Sequence, residues 1–111
     1  MNNVLLTGRL TRDAELLAFN NGERKAIRFT LAVERVYKST SDGKDADFIP
    51  VIYFTNYAHK LIDYLTKGRL MSVSGKLSIR SVEGEGGIRR YFTDVVANNL
   101  DFLESNKLKA L

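Results

Sequence analysis

The sequence has no cysteine, no tryptophan, a single proline and a single histidine. Without cysteine there can be no disulfide framework and no thiolate metal site, a composition suited to a reducing compartment. No apolar run approaches the roughly 18 residues that a membrane-crossing helix requires. The opening segment Met1–Arg9 lacks a basic stretch followed by an apolar one, so it does not read as a signal peptide. The expected location is cytoplasmic. The lone His59 falls on the polar side of a predicted helix, without a second ligand nearby, and reads as surface. Carboxylates are scattered along the chain, not grouped as a nuclease's metal cage would be. No catalytic residue, metal ligand set or cofactor is nominated, and the expectation is a protein that is not an enzyme.

What is present is a chain of 111 residues, 44% hydrophobic, enough for one domain with a modest core. The net charge of +4 is a weak pointer by itself; the placement of the charges decides more. Val4 to Leu10 reads as a first strand with Gly8 as a bend. Asn20-Asn21-Gly22 is a strong turn signal. From Ala26 to Tyr37 the pattern alternates, with Ile27, Phe29, Leu31 and Val33 on one side and Arg28, Thr30, Ala32 and Glu34 on the other. A polar stretch from Lys38 to Asp45 predicts a loop, and Asp47 to Thr55 a third strand. Tyr57, Ala58, Leu61, Ile62 and Leu65 make one apolar face of a helix over 57–67, with Asn56 as its N-cap and Gly68 just past its end.

A fourth strand, Arg69 to Val82, carries Gly75 at its middle. Met71, Val73, Leu77 and Ile79 share one face, and Leu70, Ser72, Lys76, Ser78, Arg80 and Val82 the other. Gly84 to Gly87 lies between two strands with no helix behind it, so it reads as a hairpin turn and not as a phosphate cradle. Arg90 to about Leu103 is the fifth strand. The fold class predicted is all-β: a five-stranded OB-fold Greek-key barrel with one α-helix between the third and fourth strands. Central glycines suit strands that must bend to close so small a barrel.

The third strand is unusual because both its parities are apolar: Ile49, Val51 and Tyr53 on one, Phe48, Pro50, Ile52 and Phe54 on the other. Either the second face is covered by a subunit or the helix, or Phe48 and Phe54 are platforms on which bases stack. Pro50 has no N–H, so its strand should be an edge or bulged there. If the second strand lies against the third, Arg28 comes beside Phe54, and the outward face of the fourth adds Lys76 and Arg80. Arg35, Tyr37 and Lys38 lie where the second strand runs into the long loop. Aromatics interleaved with cations on one sheet face suit a nucleic-acid strand, with bases on rings and phosphates on Lys and Arg.

These residues carry a resemblance. In order, Asn3–Asp13, Phe29–Val33, Ala46–Phe48, Tyr64–Gly68, Val73–Leu77 and Arg90–Val95 resemble the single-stranded DNA-binding (SSB) proteins of bacteria and phages. The resemblance covers residues 1 to about 103. It implies an OB-fold DNA-binding domain over 1–104 with a short extension over 105–111. It also implies sequence-tolerant binding that protects single strands in replication, recombination or repair, and a homotetramer, with a dimer as the alternative. Tyr37, Phe48 and Phe54 match the family's stacking positions, while a fourth falls on Val82, which shifts weight to Arg80. Lys67, inside the matching Tyr64–Gly68 stretch, joins the candidate cations. The family's acidic tail has no counterpart in Glu104–Leu111, which has two lysines and no acidic cluster. A truncated chain and a tailless member both fit, and recruitment of replication proteins through a tail is not expected. The alternative function is a short OB-fold adaptor of the primosomal type, acting mainly through protein contacts.

Overall fold

Alternation determines which side of each strand meets the core. In the computed structural model, which describes residues 1–36 and 45–103, the strands are β1 (Val4–Leu10), β2 (Glu15–Phe19), β3 (Arg24–Glu34), β4 (Ala46–Phe54), β5 (Leu70–Glu83) and β6 (Arg89–Phe102). The odd-numbered Ile27, Phe29 and Leu31 of β3 are buried, and Val51, Met71, Val73 and Val95 join them from β4, β5 and β6. The sheet order is β1-β5-β6-β4-β3-β2, and β1 also pairs with β3 through Arg9↔Ala32 and Leu10↔Leu31. That second pairing closes β1, β5, β6, β4 and β3 into a five-membered ring, the expected OB barrel.

β2 is an addition to the expected five strands. It pairs with the first half of β3, from Glu15↔Arg28 to Phe19↔Arg24, on the edge that β1 occupies further along. Its sequence, Glu-Leu-Leu-Ala-Phe, shows no alternation because only Leu17 is even half-buried. The turn joining it to β3 is as predicted, with positive φ at Asn20, Asn21 and Gly22.

The helix is shorter than expected. One α turn, α1 (Ala58–Leu61), tightens into a 3₁₀ turn over Ile62–Tyr64 and ends. The Leu65 carbonyl accepts a hydrogen bond from the Ala14 N–H (2.9 Å), which holds the chain on the barrel end while the Leu65 side chain is buried. Asn56 is not the cap: Tyr57 stands at that position, and its N–H is taken by Thr55 Oγ1 at 3.1 Å. Gly68, with φ +86°, belongs to the following turn and not to the helix end, its N–H donating to the Leu10 carbonyl. Ala58 and Leu65, both on the predicted apolar face, are nonetheless fully buried, in the segment between the third and fourth predicted strands. No helix among the described residues is long and apolar enough to cross a membrane.

The central glycines mark close backbone approaches. A Cβ on Gly8 would collide with the Ala32 carbonyl, and one on Gly75 with the Val96 carbonyl. Gly75 also sits at a register shift in the β5–β6 ladder. β1 covers β5 only from Leu70 to Gly75, while the β5–β6 ladder continues to Glu83↔Arg89. The outer part of this hairpin is therefore an arm reaching past the barrel. That is why Leu77 and Ile79, which share parity with the buried Met71 and Val73, are exposed.

Candidate nucleic-acid interface

Residues directly opposite each other in a ladder share a face of the sheet. Glu15 is opposite Arg28, Arg28 opposite Ile52, Ile52 opposite Val96, and Val96 opposite Lys76. One row thus crosses five strands. In the neighbouring row, Phe29, Val51 and Val95 are buried in the core, and Leu77 continues it onto the arm. The face bearing Arg28 and Lys76 is consequently the outer one, and with it the even residues of β4, namely Phe48, Pro50, Ile52 and Phe54.

A groove of about 790 Å³ runs along this face, lined by Phe54, Ile52 and Pro50 of β4, Arg28 and Thr30 of β3, and Arg80 and Asp94 of β5 and β6. It opens where β4 and β6 part company, since they pair only through Val51↔Val95 and Ile52↔Val96. Pro50 lies just beyond that short ladder. Its partner on β3, Thr30, gives its carbonyl to Thr11 N–H instead of to β4 (3.0 Å), so the absent proline N–H leaves no bond unmade. The expectation of a local edge at Pro50 is met.

Phe54 is half-buried and packed between two groups that the strand pattern does not reveal. The Arg24 guanidinium lies over its ring, 4.2 Å from the centroid, and the Phe19 ring is tilted against it at 6.0 Å. Arg28 is beside Phe54 as expected, opposite the adjoining outward residue Ile52 and lining the same groove, while Ala26 is directly opposite Phe54. Arg24 flanks Ala26 on the other side, and it is Arg24 whose guanidinium reaches over the ring. Phe19 and Arg24 face each other across the Asn-Asn-Gly turn. The turn signal could have found them, had Glu15–Phe19 been recognised as its other strand.

Cations in the groove are partly neutralised. Arg28 Nη2 pairs with Glu15 Oε2 at 3.2 Å, and Arg80 Nε with Asp94 Oδ2 at 3.1 Å. Arg12 and Asp13 add one charge of each sign to the lining. Exposed pairs of this kind contribute only about 0–1 kcal/mol, so an arriving phosphate can exchange for the carboxylate at little cost.

The remaining candidates are distributed around this groove. Phe48 is on the same outer face and 66% exposed, so it is not part of the core. Lys76 is exposed at the end of the five-strand row. Arg35 is hydrogen-bonded through Nε to Asp47 Oδ1 at 2.9 Å, a contact that raises its pKa above the ordinary arginine value. Asp47 is opposite Val33, on the parity of the core, so this pair is on the other face from Phe48. Lys67 is in the turn after the helix, its backbone N–H donating to Asp13 Oδ1 at 2.8 Å. Val82 is exposed near the tip of the arm, opposite Arg90. Tyr37 and Lys38 lie outside the described residues. His59 is exposed, and no group of three potential metal ligands exists among the described residues.

Comparison with known proteins agrees with this architecture. A family model described as the single-strand binding protein family matches residues 1–103. "Single-stranded DNA-binding protein 2" of Clostridium acetobutylicum is 43% identical over 107 residues, spanning 96% of this chain and 80% of that protein. The single-stranded DNA-binding protein of Clostridium tetani is 46% identical over 106 residues, 94% of this chain and 71% of that protein. The one from Streptococcus pneumoniae serotype 4 is 41% identical over 109 residues, covering 98% and 69%. With a closed OB barrel, a match along nearly its whole length and relatives at this identity, the chain belongs to the single-strand binding protein family.

Proposed function

We propose that this protein binds single-stranded DNA without sequence preference, bases stacking on Phe54 and Phe48 and phosphates meeting Arg28, Lys76 and Arg80. The observation that carries this reading is the outer face itself, where an aromatic groove and cations from β3 and β5 share one continuous surface. Every base has a π-face, so rings of this kind accept any sequence at roughly 1–3 kcal/mol per stacked base. Coating exposed strands during replication, recombination or repair is the role such binding serves. The names of the relatives support the same ligand.

Oligo(dT) titrated at two salt concentrations, with duplex of equal length as control, tests the proposal. Single strands are expected to bind more tightly than duplex, with affinity falling as salt rises because each neutralised phosphate releases counterions. Equal affinity for both, or none for oligo(dT), would overturn the reading in favour of an adaptor role.

The ion pairs predict a gain of function. In Asp94→Asn, Arg80 no longer has a carboxylate competing with phosphate, and the outer face gains one net positive charge. Oligo(dT) affinity at low salt is expected to rise about 5-fold, the equivalent of roughly 1 kcal/mol. Unchanged affinity would mean that Arg80 does not meet a phosphate.

A further inference from the structure

Phe92 is within the matching Arg90–Val95 stretch but at none of the stacking positions that the resemblance implies, yet it is on the same face as the groove. It is directly opposite Arg80, one pair outward from Ser78↔Asp94, which itself follows the row containing Lys76 and Val96 along this face. Phe92 is 43% exposed and takes no part in the core cluster. The Arg80 guanidinium carbon is 5.3 Å from the ring centroid, and Arg80 Nε is held by Asp94 Oδ2 at 3.1 Å. A cation is thus anchored beside an exposed aromatic at the outer end of the groove.

We propose that Phe92 and Arg80 form a second stacking subsite that takes a nucleobase on the ring and the adjoining phosphate on the guanidinium. This rests on the single-strand reading above and extends it along the arm. Parallel pairing sets Ile52 level with Val96, so Phe54 and Phe92 lie on opposite sides of that row. Six residues of separation along the strand direction amount to about 20 Å at ~3.3 Å per residue. A strand engaging both rings would bridge several nucleotides, in keeping with roughly 4–16 nucleotides per OB fold. The cation on Phe92 is no obstacle to a base. An exposed cation–π contact is worth about 0.5–1 kcal/mol, less than base stacking, so the base displaces or sandwiches the guanidinium. The far side of the arm has its own exposed side chains, Ile79 and Tyr91, but they are on the opposite parity and do not face the groove.

The absence of tryptophan makes a direct test possible, because a substituted Trp is then the sole indole among these 111 residues. Phe92→Trp and Phe54→Trp are made separately and titrated with oligo(dT), and Phe92→Leu is compared with the unaltered protein by competition. Quenching of Trp at position 92, with Phe92→Leu binding at least about 5-fold more weakly at unchanged melting temperature, is the expected result. Leucine preserves the apolar surface but cannot stack, so a purely hydrophobic role would leave affinity intact. If Trp at 54 is quenched while Trp at 92 is not, and Phe92→Leu binds normally, the second subsite is refuted and the single-strand reading stands. If the unaltered protein itself does not bind oligo(dT), both fall together.

Discussion

Phe54→Ala is expected to weaken oligo(dT) binding roughly 5- to 150-fold, the loss of one base-stacking platform at about 1–3 kcal/mol. The barrel should survive the change. Phe54 is half-buried at the groove wall and is not part of the core cluster formed by Ile27, Leu31, Val51 and their neighbours. Its own contacts are with Phe19 and the Arg24 guanidinium, both on exposed residues. Removing the ring therefore costs the fold on the order of 1 kcal/mol, a few degrees in melting temperature for a domain of this size. Arg24 covers part of the ring in the absence of DNA, but at about 0.5–1 kcal/mol it is the weaker competitor. Binding by fluorescence anisotropy, paired with thermal melting followed by circular dichroism, separates the two effects. A large fall in melting temperature with normal binding below the transition would show that Phe54 is structural and that its face is not the DNA face.

Gly75→Ala is expected to destabilise the domain by about 3 kcal/mol, lowering the melting temperature by on the order of 10–20 °C. An added Cβ would strike the carbonyl oxygen and carbon of Val96 and the Cα of Ala97, all backbone atoms of the adjacent strand. A flexible side chain could yield, but this backbone cannot move without disturbing the β5–β6 ladder on either side. Val95 and Ala97, both buried, flank the collision, so a shift of β6 also loosens the core. Because Val96 is in the same row as Ile52 and Arg28, binding should weaken as well, as a consequence of distorted geometry. Melting within a few degrees of the unaltered protein would show that β6 tolerates the displacement and that Gly75 is not required at the crossing.

The contrast between these two positions indicates how far sequence patterns reach. Gly75 could be singled out because a glycine inside an alternating strand calls for a close approach or a bend, although its partner could not be named. Both apolar parities of β4 were visible, and so was the presence of stacking candidates among them. Which parity faces outward does not follow from the pattern, because a strand apolar on both faces has no polar side to mark the solvent. The apolar spacing of the helix continues to Leu65, but the tertiary bond from the Ala14 N–H to the Leu65 carbonyl ends it early. β2 escaped notice because, lying almost wholly on the surface, it has no buried face to impose a pattern.

The sequence by itself determined the barrel class, the Asn-Asn-Gly and Gly84–Gly87 turns, the inward set of β3, and the outward set of β5 with Lys76 and Arg80. All of these follow from local propensity and short-range periodicity. Tertiary structure alone decided that Arg24 and not Arg28 covers Phe54, that Glu15 and Asp94 hold Arg28 and Arg80, and that Phe92 stands opposite Arg80. Each depends on the register between strands, which is set where the barrel closes and where the backbones cross at Gly8 and Gly75. A shift of one residue moves every side chain to the other face, so the composition of the DNA-facing surface follows from register and not from any strand read alone.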